Sequence, residues 1–289
     1  MMSKEQVVVN RKKKKKVKIF PIVNVVVFLI ISFCILLPIW KVIVDSFDAM
    51  AGYGLAFWPR RLSVGGYNAI VTNASLYTPF LISCFVTVAG TALGLFLSTL
   101  GAYVLIQYEM PGRNLLAYIL LFTMIFEGGM IPTFLVMKNL HLLNNLLVVI
   151  LPLAINVFNL VLMRNFFEGI PQSLLEAAAI DGCSPIAIFY KIVLPLSKAA
   201  LASIGLMYAV QFWNDYTQFK IYITESKLFN FQVKLRNMVM DSDVPNLGDI
   251  DANTTKNAAV IIAILPFMII YPFCQKYFVQ GVNVGAVKE

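Results

Sequence analysis

Six runs of mostly apolar residues, at roughly 19–44, 77–106, 115–137, 145–166, 198–219 and 257–279, constrain this chain more than any other feature. A helix rising 1.5 Å per residue needs about 20 such residues to cross the roughly 30 Å hydrocarbon layer of a bilayer. Lipid offers no hydrogen bonds, so each crossing segment must satisfy its own backbone, and a helix does so internally. The expected fold class is therefore an all-α membrane protein with six transmembrane helices. Composition agrees: 59% of the residues are hydrophobic and 13% charged, whereas soluble domains carry about 25% charged residues.

The net charge of +8 is concentrated ahead of the first run, in Lys4, Arg11, Lys12 to Lys16 and Lys18. Basic residues beside an apolar run mark the cytoplasmic side, next to anionic headgroups, and no groove for nucleic acid is implied. The reading is a basic cytoplasmic N-terminus (1–18), a membrane domain (19–279) and a cytoplasmic tail (280–289) in a plasma-membrane protein. Loops 45–76, 138–144 and 220–256 then lie outside, and 107–114 and 167–197 inside. The first run is too long for a signal-peptide core and is expected to stay attached.

Cys34, Cys84, Cys183, Cys274 and the single His141 have no metal-ligand spacing. Asp241, Asp243, Asp249 and Asp251 alternate in the outer region 220–256. They do not follow an EF-hand pattern, so the expectation there is a solvated loop able to touch a partner.

The inner loop 167–197 carries the most information. From Glu168 it reads EGIPQSLLEAAAIDGCSPIAIFYKIVLPLSKAALA. Pro171 suits a first helical turn, Ser173 to Ile180 favours helix, and Asp181-Gly182 is a turn signal with glycine free to go left-handed. Ser184-Pro185 restarts a helix as cap and first-turn proline. Ile188, Phe189, Ile192 and Val193 give the second helix an apolar face, with Pro195 closing it. Such a hairpin on a membrane surface either docks into a soluble partner or rests on lipid.

The residues resolve that choice. Glu176-Ala177-Ala178, Asp181-Gly182 and the Ile192 to Pro195 run resemble the EAA loop of ABC importer permeases. The stretch 194–223, the segment 128–145 and the tail GVNVGAVKE are similar to the carbohydrate-uptake (maltose-type second permease) branch. The resemblance implies a type I importer permease whose cytoplasmic loop is a coupling helix. Glu176, Ala177, Ala178, Asp181 and Gly182 would touch the ATPase, with the two alanines thinning one face and Gly182 permitting the turn. It also implies a heterodimer with a second permease subunit, two ATP-binding subunits and an extracytoplasmic sugar-binding protein. Lys198-Ala199 departs from relatives, which often carry proline there. No Walker A sequence occurs, so ATP and Mg belong to the partner subunits and this chain is expected to bind no cofactor or metal.

Polar groups inside a membrane segment are functional candidates by default. Glu127 lies about 18 Å into the third run at 1.5 Å per residue, before Gly128, Gly129 and Pro132. It either borders a translocation path or is a buried carboxylate held by exposed backbone. Trp213, Asn214 and Asp215 combine an aromatic face with polar partners for sugar hydroxyls, though Trp near an interface is also an ordinary anchor. Gly90, Gly94 and Ser98 form a small-residue stripe suited to close helix approach. An ion-gradient-driven secondary transporter would usually show internal repeats and charged relays, and an intramembrane enzyme a second carboxylate or a Ser/His pair. Neither pattern is found.

Overall fold

Three of the apolar runs form uninterrupted helices: α1 (Ile19–Ser46), α3 (Ala74–Ile106) and α14 (Ala252–Ala286). Each contains a window long and apolar enough to cross a membrane. This computed structural model describes residues 19–52, 54, 56–107, 110–240 and 252–286. The basic segment 1–18, the acidic stretch 241–251 and the last three residues of the tail lie outside the described residues.

The other three runs are bent. Helix α4 (Arg113–Ile125) meets α5 (Met130–Asn139) at 114°, and α6 (Leu147–Ala154) meets α7 (Val157–Glu168) at 46°. The helical segment Pro185–Leu196 meets α11 (Lys198–Trp213) at 81°. Counting each bent pair once gives the six spans expected from the sequence. The breaks have local causes: Gly129 is left-handed at φ 86°, Pro152 lies in the last turn of α6 just before the break at 155–156, and Pro195 cannot donate a helical hydrogen bond.

Three expectations need correcting. The third run is no single rod, because Phe126 to Gly129 leave the helix at the glycine pair. The fifth span ends at Trp213, and α12 (Thr217–Tyr222) follows as a separate turn. The outer region expected as a solvated loop is folded up to residue 240. A 3₁₀ turn at Ser226–Leu228 leads into α13 (Phe231–Met240), whose Phe231, Val233 and Met238 are buried. Within 45–76 the chain forms α2 (Gly65–Thr72), packed on α14.

The densest packing joins α3 to α11 and α7. The stripe Gly90, Gly94 and Ser98 faces α11, whose Phe212 and Tyr208 fill the space that side chains would occupy. A Cβ on Gly90 would sit 2.6 Å from the Phe212 ring, and one on Gly94 2.8 Å from the Tyr208 ring. Between helices in lipid there is little hydrophobic drive, so close approach and hydrogen bonds hold the contact. Tyr208, fully buried, shares a 2.7 Å hydroxyl–hydroxyl bond with Ser98. Its oxygen also accepts the Asn156 backbone N–H at 3.1 Å. Asn156 sits at the α6–α7 break, where the helix ladder no longer serves that group.

Outside the bundle, Asp48 organises the turn after α1. Its buried carboxylate accepts backbone N–H groups of Met50, Arg60 and Arg61 at 3.0–3.1 Å. Ala49 N–H donates to Arg61 and Ser63 N–H to Phe47 at 2.8 Å, and Thr254 of α14 donates its hydroxyl to the Asp48 carbonyl. Burial alone would push the Asp48 carboxyl up. The three backbone donors and the Arg60 charge outweigh it and hold the group below its ordinary value.

Three outcomes follow. Tyr208→Phe keeps the ring in its notch but strands the Ser98 hydroxyl and the Asn156 amide, and should lower stability in detergent by about 1–2 kcal/mol, read from the thermal midpoint. Gly94→Leu should cost more, because the backbone itself must move. A lowered folded pKa means that the Asp48 contribution is complete above the unfolded value of about 3.9 and is lost as pH falls through the folded value. Amide exchange at Met50, Arg60 and Arg61, corrected for intrinsic rate, should therefore rise below about pH 4 and not between pH 5 and 8.

Candidate coupling site and translocation path

The hairpin expected at 167–197 forms as two helical pieces. Helix α8 (Gln172–Ile180) begins after Pro171 and ends in a closing turn. Cys183 N–H donates to the Ala178 carbonyl and Gly182 N–H to that of Ala179, both at 3.0 Å. Gly182 is left-handed at φ 82°. This double bond with a left-handed residue is the Schellman arrangement, and it favours glycine at that position. Ser184 then caps α9 (Pro185–Ile188) by accepting the Ala187 N–H at 3.3 Å. A π turn over Phe189–Val193 and a short α10 (Leu194–Leu196) carry the segment to α11.

The second piece turns its apolar face inward. Ile188, Phe189 and Val193 are buried and belong to the main core. The Phe189 ring lies 4.9 Å from that of Tyr103, whose hydroxyl donates to the Pro185 carbonyl at 2.8 Å. Tyr103 stands one turn from the end of α3. That helix, at 33 residues, is about 50 Å long and outreaches the roughly 30 Å hydrocarbon core. The hairpin is thereby fastened to α3, and through residues 169–171 to α7.

What remains outward is mostly α8 and the turn. Glu176, Ala177, Asp181 and Gly182 are exposed, while Ala178 is buried against the core. Only one of the paired alanines thins the outer face, and the other is a packing residue. Ile180, at 86% exposure, and Ile186, at 70%, flank the turn, with Leu174 and Tyr190 behind them. These four apolar residues were not singled out in the sequence. Ile186 and Tyr190 recur at helical spacing opposite the buried face, but a helix apolar on both sides does not announce which side is free.

The path candidates separate. Glu127 is exposed at the α4–α5 bend, and nothing lies within 4 Å of the positions where Cβ atoms on Gly128 and Gly129 would stand. The buried, backbone-held carboxylate is not what forms. Neither α4 nor α5 contains a buried residue. Trp213 is 3% exposed, donates its indole N–H to the Ala263 carbonyl at 3.0 Å and meets Phe80 and Phe267 edge to face. It fastens α11 to α14 and offers no free face to a sugar ring. Asp215 caps α12, accepting the Gln218 N–H at 3.1 Å, while its carbonyl accepts the Asn230 amide at 2.6 Å. Its other carboxylate oxygen is buried with no hydrogen-bond partner among the described residues. Asn214 is exposed and heads a groove of about 410 Å³ with Gln232, walled by Val210, Ile264, Phe267 and Tyr271. Among the described residues no cluster of His, Cys, Asp and Glu could hold a metal.

Comparison with known proteins places this geometry. Residues 18–284 match the family described as "Binding-protein-dependent transport system inner membrane component". The chain is 43% identical over 263 residues to the polygalacturonan/rhamnogalacturonan transport system permease protein YtcP of Bacillus subtilis, covering 87% of this chain and 92% of the relative. It is 38% identical over 281 residues to protein LplC of the same organism, covering 94% and 95%. Its fold matches a chain of a bacterial ABC transporter involved in the import of the acidic polysaccharide alginate, with TM-score 0.85 and 34% identity over 92% of this chain and 98% of that one. With a family match over nearly its whole length and relatives this similar, the chain belongs to the inner membrane components of binding-protein-dependent transport systems and is a membrane-spanning permease subunit of an ABC importer.

Proposed function

We propose that this permease moves oligosaccharides of acidic polysaccharides, driven by ATPase subunits that grip α8 and the Asp181-Gly182 turn. The observation that carries the reading is two-sided. The outer face of α8 is bare, with a charged rim at Glu176 and Asp181 and an apolar tip at Ile180 and Ile186. The inner face of the same hairpin is fastened to α3 by Tyr103, Pro185 and Phe189. A pull on α8 therefore reaches α3 through direct contacts.

The full machine in this reading is a heterodimer with a second permease, two ATP-binding subunits that hold ATP and Mg, and an extracytoplasmic binding protein. The termini are cytoplasmic. Closure of the ATPase dimer moves the coupling helices, and the packed α3–α7–α11 block swings as a body, exchanging inward for outward access. An exposed carboxylate within a membrane segment is stable only against protein or water, so Glu127 borders the path beside the second permease. There it accepts hydrogen bonds from sugar hydroxyls. Asn214 and Gln232 offer two amides for the same purpose nearer the outer side.

The acidic substrate is supported by the names of two relatives, one a polygalacturonan/rhamnogalacturonan permease and one an alginate importer. The folded part of the outer region, 217–240, holds Lys220, Lys227, Lys234 and Arg236 against Glu225, but the whole of 220–256 carries five basic and five acidic residues, so its net charge does not select the substrate. Arg236 lies over the Tyr216 ring at 4.3 Å, and none of the four cations forms an ion pair among the described residues.

A β-branched residue at a left-handed position costs about 1–3 kcal/mol. Gly182→Val should therefore lower ATPase activity coupled to transport by roughly 5- to 150-fold in the reconstituted complex, while Gly182→Asn, tolerated left-handed, keeps most of it. Equal transport by the valine variant would overturn the lever. For the substrate, oligogalacturonates or oligoalginates presented with the binding protein should stimulate ATP hydrolysis, and neutral oligosaccharides of equal length should not. Stimulation by the neutral set alone rejects the acidic reading. In the same assay Glu127→Gln should depress stimulation without altering co-purification of the subunits, and an unchanged response removes Glu127 from the path.

A further inference from the structure

The turn after α1 folds back down the helix it has just left. Trp40 donates its indole N–H to the Phe57 carbonyl at 3.2 Å, although Trp40 precedes the end of α1 by six residues, about 9 Å of helix. Phe57 thus lies against the helix flank. Together with Phe33, Leu36, Leu37, Trp40 and Ile43 it lines an apolar groove of about 360 Å³. From Phe33 to Ile43 the groove runs about 15 Å, one leaflet's share of a hydrocarbon core roughly 30 Å thick.

Polarity changes abruptly at its upper end. Phe57 is 61% and Trp58 72% exposed, and Arg60 and Arg61 follow with exposed side chains. Their backbone N–H groups are committed to Asp48, but neither guanidinium forms an ion pair among the described residues. Apolar wall, interfacial tryptophan and paired guanidinium groups succeed one another in the order of acyl chain, glycerol backbone and phosphate. Arginine forks match phosphate oxygens geometrically, and the pairing is stronger at a partly dehydrated interface.

We propose that this groove is a binding site for one anionic phospholipid of the bilayer, with an acyl chain along α1 and the phosphate held by Arg60 and Arg61. The length of the groove and the charge at its mouth fit that occupant better than a helix of another subunit. An apolar helix of another subunit would cover the wall but bring no anion to the exposed Arg60 and Arg61 side chains. The lipid would also brace the Asp48 turn, and through Thr254 the start of α14. The site stands apart from the sugar and coupling readings.

The test uses the full chain, purified with its co-purifying subunits in mild detergent and exposed to dimyristoyl phosphatidylglycerol or dimyristoyl phosphatidylcholine. Native mass spectrometry should show one phosphatidylglycerol retained roughly tenfold more strongly than phosphatidylcholine. Substitution of both arginines by glutamine (Arg60→Gln with Arg61→Gln) should abolish the preference. The backbone N–H groups survive that change, so the Asp48 turn remains intact. Phe57→Ala should weaken retention of both lipids alike. Equal retention of the two lipids, or a preference untouched by the double substitution, overturns the proposal. So does displacement of phosphatidylglycerol by millimolar inorganic phosphate, which would mean an anion site without a lipid groove. A cysteine at Leu36 that cross-links to a second permease would likewise sink it.

Discussion

A helix broken inside a bilayer leaves backbone groups that no water can reach, and something in the protein must take them. Here the α6–α7 break exposes the Asn156 N–H, and Tyr208 takes it while sharing its hydroxyl with Ser98. Three helices meet at one oxygen. The meeting is possible only because Gly94 on α3 leaves room for the Tyr208 ring and Gly90 for Phe212. With larger residues there, α11 would stand off and the hydroxyl would reach neither partner. The fixed relation of α3, α7 and α11 follows from this junction, and the 172–196 hairpin inherits its position from α3.

Much of this was legible in the sequence because the signals are local. Run length announced the spans. The left-handed demand at Gly182, the Ser184 cap and the first-turn Pro185 each act within four residues, and the hairpin formed where they indicated. The stripe Gly90, Gly94 and Ser98 marked a close approach, though not its partner. What stayed hidden depends on contacts distant in sequence. Trp213 carries the composition of a sugar platform, but its indole N–H is spent on Ala263, fifty residues away. Helix α13 looked like loop because its buried positions, Phe231, Val233 and Met238, alternate with Lys234, Arg236 and Asn237. Its anchor is the Phe231 N–H donated to Ser83, 148 residues earlier. No local pattern records such a pairing.

The same reasoning applies to the apolar face of the hairpin. Ile188, Phe189 and Val193 read as a face that either docks on a soluble partner or rests on lipid. The partner proved to be Tyr103 of the same chain. A helix that merely rested on lipid would slide when pulled, whereas one with three buried side chains in the permease core carries the pull with it.

The bundle is unequal in its fastenings, and the inequality bears on how access could alternate. Helices α3, α7 and α11 interlock through glycines and a shared hydroxyl. The α4–α5 pair has no buried residue, bends by 114° and is tied at α5 by Phe134 stacked 6.0 Å from Tyr222. Under the proposed coupling, a force entering at α8 meets the interlocked α3–α7–α11 block before it reaches the α4–α5 pair. The Gly128-Gly129 bend joins two helices with no buried residue, and Glu127 stands exposed beside it.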